Sequence, residues 1–193
     1  MTEHDELLRR IRSRALEEAD ELPPVASEQD LAEAEKQVGF ALPPLLARVY
    51  REVANGGFGP EYTLFPLIGE GRTAVSAYGT ECPRPPAEPS PHWPRGVLPI
   101  LDWGCGMYAA VDCLQPAAPV LVFEPNSIED NWPDAWFQDA PSLVAWLNSW
   151  LHGTGWWEGE AMADGDAAEP RPWPQAAARI AAGRSVTPSA ATT

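Results

Sequence analysis

Lysine is almost missing from this 193-residue chain: Lys36 is the single one, and arginine carries the rest of the positive charge. Against 13 basic side chains stand 28 acidic ones, a formal net charge of -15. A surface that neutralises nucleic-acid phosphates needs the opposite balance, so the composition argues against direct nucleic-acid binding. The same field attracts cationic partners and speeds their encounter. Cysteine is scarce too. Cys82, Cys105 and Cys113 cannot all pair within one chain, and no Cys-x-x-Cys occurs, which points to a reducing cytosol and away from structural zinc. No apolar run reaches 18 residues, and Met1-Thr-Glu-His-Asp-Glu lacks the features of a secretory signal, so the expected location is cytoplasmic with no membrane contact. The three histidines, His4, His92 and His152, lie far apart in sequence. With no Gly-x-Ser-x-Gly, His-Glu-x-x-His or phosphate-cradling loop, the reading is a non-enzyme with no catalytic residue, metal or cofactor.

Proline (22) and tryptophan (9) are abundant instead. The excess of Arg, Ala and Pro reads as a coding bias, while proline at this level predicts long irregular stretches. Leu7 or Leu8, Ile11, Ala15 and Ala19 predict a thinly amphipathic helix, taken here as a charged extension over residues 1–21. Leu22-Pro23-Pro24 should stop it. A second helix is expected from Ser27 to Gly39, and a third from Pro43-Pro44 to Asn55-Gly56-Gly57. Tyr62 to Leu67 reads as extended, and Gly69 to Arg95 as a Pro-rich surface loop. Val97–Trp103, Met107–Asp112 and Val120–Glu124 read as strands, the first two forming a hairpin about Gly104-Cys105-Gly106. Pro125 to Phe137 reads as irregular. Leu143, Trp146, Leu147, Trp150 and Leu151 then give the clearest helical stripe. The domain is therefore drawn at 22–152, and residues 153–193 as a largely disordered acidic, Pro/Ala-rich tail in which Trp156 and Trp157 are isolated.

Gly104-Cys105-Gly106-Met107-Tyr108-Ala109 matches a dinucleotide-binding string, but no helix follows to face a pyrophosphate, so it reads as a turn. A small enzyme here would need a pocket holding ionisable groups with perturbed pKa values, such as Asp102 with Asp112, or Cys105; the carboxylates read more simply as strand-end groups that solvate edges or cap turns. The sharpest signal is a charge gap. No Lys or Arg occurs between Arg95 and Arg171, whereas acids recur throughout. Glu124, Glu129, Asp130 and Asp134 cluster there around Trp132, in a loop suited to steering and anchoring a basic protein partner.

Glu33 to Gly39, Phe40-Ala-Leu-Pro43, a short amphipathic helix and Asn55-Gly56-Gly57 together resemble the N-terminal signature of the SMI1/KNR4 family, the SUKH superfamily. Trp93-Pro-Arg-Gly-Val-Leu-Pro-Ile-Leu-Asp-Trp-Gly-Cys-Gly106 is similar to its central hairpin, and Val120–Phe123 with Ser142–Leu151 to its closing strand and helix. The likeness runs from Leu22 to Leu151. It implies an α+β fold, a mainly antiparallel sheet with helices packed against it, and no motif catalytic residues. It also implies a protein-binding role, either as an immunity protein that neutralises a cognate toxin, often a nuclease in polymorphic toxin systems, or as a regulatory scaffold like the fungal relatives that act in cell-wall synthesis.

Overall fold

Four helices begin where a short polar side chain takes up a first-turn amide, and in three of them the bond is reciprocal. Thr2, Ser27 and Thr73 each accept from the amide three residues on, and Asp5, Asp30 and Ser76 return the bond. These reciprocal caps open α1 (Glu3–Glu18), α2 (Glu28–Val38) and α4 (Ala74–Glu81). Proline in the first turn opens α3 (Pro44–Glu52). The computed structural model describes residues 2–19, 21–83, 87–158 and 169–184. Beyond α4 come β1 (Val97–Gly104), β2 (Met107–Asp112), β3 (Val120–Phe123), β4 (Trp136–Ala140), α5 (Leu143–His152), β5 (Arg171–Pro172) and α6 (Ala176–Arg184). Each strand pairs antiparallel with the next, in the order β1-β2-β3-β4-β5. The result is the α+β architecture expected from the sequence, a meander with helices packed against it.

α1, α3 and α5 pack on one another, and α5 also meets β4; α4 lies against β1. Leu7, Leu8, Ile11 and Ala15 of α1 are buried in the same core as Leu46, Tyr50, Trp146 and Trp150. The N-terminal helix thus packs into the core rather than standing off it.

The Asn55-Gly56-Gly57 stop has two jobs beyond ending α3. Asn55 clamps the incoming chain, its Nδ2 donating to the Ile68 carbonyl at 2.9 Å while its Oδ1 accepts from the Leu67 amide at 2.8 Å. Gly56, at φ 77°, lets the Phe65–Pro66 backbone pass so close that an added Cβ would meet it at 2.5 Å. Residues 62–67 do not form a strand of the sheet; a single bond, from the Phe65 amide to the Ile100 carbonyl, ties them to β1.

Three stretches are more ordered than their sequence suggests. The Pro-rich segment from Gly69 contains α4, marked locally by its Thr73–Ser76 cap. A 3-10 turn (Trp132–Ala135) and β4 occupy the end of the segment read as irregular. Residues 171–172 and 176–184, read as disordered tail, form a strand and a helix. β5 adds to the sheet through Phe137↔Pro172 and Gln138↔Arg171, and Trp173, Ala176 and Ile180 are buried. Trp156 and Trp157 are likewise not isolated, since both pack on Trp103. The rest of the tail, 159–168 and 185–193, lies outside the described residues.

Arg179 of α6 explains one polar group that the sequence misreads. Asp112, expected at a solvated strand end, is fully buried, and Arg179 reaches it with two bonds of 2.6 and 2.9 Å. A planar guanidinium matches a carboxylate in this bidentate way, and the pair leaves no net charge in the core.

Candidate partner-binding face

Antiparallel register sets four side chains in a row across the sheet: Asp102 of β1 opposite Tyr108 of β2, Tyr108 opposite Phe123 of β3, and Phe123 opposite Trp136 of β4. Residues directly opposite one another share a face, so the row is a platform. The chain around α4 and the Pro-rich segment cover it. Arg72, just before α4, donates to both Asp102 and the Tyr108 hydroxyl. Tyr108 donates in turn to Glu81 at 3.1 Å, and His92 Nε2 lies 2.9 Å from the other Glu81 oxygen. His92, opposing the cost of burial and helped by Tyr108, holds the Glu81 carboxyl below its usual range. Two indoles pin the covering segment: Trp93 Nε1 donates to the Val97 carbonyl and Trp136 Nε1 to that of His92, at 2.8 and 2.9 Å.

The acidic loop grows from this platform. Glu124 continues the strand pairing through its amide to the Ala135 carbonyl, closing 125–134 into a loop with adjacent ends. The five residues singled out there have different surroundings. Glu124 accepts from the Asn126 amide at 2.8 Å, and Asp134 from Asn131 Nδ2 at 2.6 Å, so both carboxylates brace the loop itself. Glu129 and Asp130 are exposed. Trp132 is half-buried, its ring 5.1 Å from that of His92 and 6.5 Å from that of Phe123. The indole thus leans on His92 and Phe123 of the platform and follows two exposed carboxylates in sequence.

The charge gap in the sequence is only partly a gap in space. Arg72 and Arg179, from either side of it, fold back onto Asp102 and Asp112. Those two carboxylates do not meet. Asp112 pairs opposite Val97 and Asp102 opposite Tyr108, so four residues of strand, roughly 13 Å, separate them along the hairpin. Cys105 sits exposed at the turn with φ 52°. Cys113 packs at the strand end, where burial and the neighbouring Asp112 push its thiol up. Among the described residues, no group of three or more His, Cys, Asp or Glu could hold a metal ion, and no helix is long and apolar enough to cross a membrane.

Sequence reasoning missed Arg72 and Glu81 because their partners lie 11 to 36 residues away. His92 was visible only as a lone histidine. The Thr73–Ser76 cap was the available signal, since it would have placed α4 and therefore both of its flanking charges together.

Among the described residues, Asp139 of β4 is the carboxylate whose acid burial raises. Burial pushes its acid up to about 6, against the pull of the Trp146 indole N–H, which donates to it at 2.8 Å. In the unfolded chain it titrates near 3.8, so between these values the folded state holds the extra proton and stability falls as pH rises. Asp139→Asn keeps an acceptor for Trp146 and removes that slope. Urea unfolding should show a gain on the order of 2–3 kcal/mol at pH 7 and little change near pH 4. An equal shift at both pH values would contradict a buried carboxylate as its source.

Fold and platform together define an α+β domain in which an antiparallel meander presents loops on a helix-backed sheet. Residues 25–149 match the SMI1 / KNR4 family (SUKH-1), and the chain belongs to that family. The chain matches no curated protein sequence.

Proposed function

We propose that this protein is a non-enzymatic binding module that acts as an immunity protein, occluding a basic toxin domain of nuclease type. The observation that carries the reading is the 125–134 loop, in which exposed Glu129 and Asp130, with no cationic partner among the described residues, come two and three positions before the half-buried Trp132. A nuclease needs a cationic surface to hold phosphates, and such a surface is complementary to a chain of net charge -15. Exposed carboxylates steer the encounter, and an aromatic ring held by its neighbours anchors the complex at little entropic cost. Membership of a family rich in immunity proteins agrees with this.

Immunity proteins are usually encoded beside their toxins, so the test uses the product of the adjacent gene. Co-expression should protect cells from that protein, and the purified pair should form a stable complex in which nucleic-acid cleavage is lost. Neither protection nor a complex would overturn the proposal. Capture of a cellular enzyme instead, with altered activity, would favour a regulatory scaffold.

A further inference from the structure

At the C-terminal end of α1, bordering the core, a recess of about 500 Å³ opens between that helix, the 57–63 loop and the turn that follows α5. Its size is that of ligand-binding pockets. Phe58 and Trp150, with centroids 6.1 Å apart, lie behind its floor and are almost fully buried, and the aromatic ring accessible from the recess is that of the half-buried Trp157, which forms a side wall. Trp157 is held firmly. It stacks on Trp103 at 5.4 Å and 27°, meets Trp146 at 5.5 Å, and lies so close over Gly155 that a Cβ there would come within 2.2 Å of the ring. Ala15 and Ala19 keep the helix side shallow.

Carboxylates stand around the mouth. Glu18 is taken by Arg14, whose Nε donates to it at 2.6 Å. Glu61 and Glu158 have no cationic partner among the described residues. Aromatic faces and unpaired carboxylates share one ligand preference, since a cation is attracted both by the negative face of a ring and by the acid. A planar guanidinium satisfies both, stacking on the indole while its edge donates to carboxylate oxygens. The one guanidinium among the residues that line the recess, that of Arg14, is spent on Glu18, and residues 159–168, which follow Glu158 in sequence, contain Glu160, Asp164 and Asp166 and no Lys or Arg. A second copy, with its net charge of -15, is repelled.

We propose that this recess receives a protruding arginine side chain from a basic protein partner. The proposal shares with the preceding section only the basic character of the partner, and its test needs no partner. The probe is the tripeptide acetyl-Gly-Arg-Gly-amide, with citrulline in place of arginine as the uncharged, planar control, titrated into the full-length protein and followed by the indole N–H resonances of its tryptophans. The arginine peptide should shift Trp157 and Trp150 saturably, and the citrulline peptide should not. Glu61→Gln with Glu158→Gln should weaken the arginine peptide by roughly fivefold or more, the scale of one unit charge at contact distance. Arg14→Gln, which releases Glu18, should tighten it, whereas Arg9→Gln, an equal change of net charge on the same helix but outside the recess, should leave it unchanged. Equal affinity in the double variant, equal gains from Arg14→Gln and Arg9→Gln, or shifts confined to other tryptophans such as Trp132 would each overturn the assignment. None of these outcomes would touch the loop reading, because Glu129 and Asp130 are intact throughout.

Discussion

Ending the chain after residue 168 should lower the thermal midpoint by roughly 10–20 °C, through a loss of at least about 5 kcal/mol. The cut removes Trp173 and Ile180 from the core, strips β5 from the edge of β4, and takes away Arg179. That last loss is the harshest. Asp112 is fully buried and would be left as a carboxylate without its cation. Breaking one side of a buried pair typically costs about 3–5 kcal/mol, whereas replacing both sides with apolar groups is often nearly neutral. Arg179→Met alone should therefore destabilise strongly, and Asp112→Leu added to it should recover part of the loss. Melting curves on the truncated chain and on these variants decide the matter. A midpoint within about 4 °C of the full chain after truncation, or a double variant no better than the single, would mean that α6 is a loose appendage.

Trp136→Ala should be comparably severe, at about 3–5 kcal/mol, the usual cost of truncating a buried aromatic. Its ring is fully buried at the join of three surfaces, lying 4.8 Å from Trp93, 4.9 Å from Phe123 and 6.0 Å from Trp173. Its N–H also holds the His92 carbonyl at 2.9 Å. Trp136→Phe keeps most of the packing and loses that bond, worth about 1 kcal/mol. Trp132→Ala, by contrast, removes a half-buried ring from the outer side of the same platform and should cost much less. Equal midpoints for Trp136→Ala and Trp132→Ala in urea or thermal unfolding would contradict the picture of a rigid platform with a recognition residue seated on it.

What could be read from the sequence divides along the range of the interactions involved. α2, α3 and α5 announce themselves through local signals: a Ser27 cap with Gly39 beyond the last turn, a first-turn proline, and the stripe from Leu143 to Trp150. The β1–β2 hairpin follows from apolar runs on either side of Gly104-Cys105-Gly106. α4 has only a weak stripe and sits among prolines, so its Thr73 cap was easily passed over. α6 is read as tail because its burial depends on two residues, Ala176 and Ile180, and its main anchor is an ion pair 67 residues away in sequence. For the candidate face, the acidic loop and Trp132 were legible because they are contiguous. The relay from Asp102 through Arg72, Tyr108 and Glu81 to His92 was not, since only folding brings Arg72, Glu81 and His92 against the Asp102–Tyr108 pair of the sheet.

The most direct measurement of the central claim is the pair of rate constants for binding the basic partner, at two salt concentrations, for the wild type, for Glu129→Gln with Asp130→Asn, and for Trp132→Ala. Exposed charges act over about 8 Å at physiological ionic strength, so the double variant should associate more slowly and show a flatter salt dependence while dissociating at an unchanged rate. Trp132→Ala should leave association nearly untouched and speed dissociation by about 30-fold, the equivalent of about 2 kcal/mol. Wild-type rates in both variants, with the fold intact, would contradict the claim that the 125–134 loop is the surface that binds.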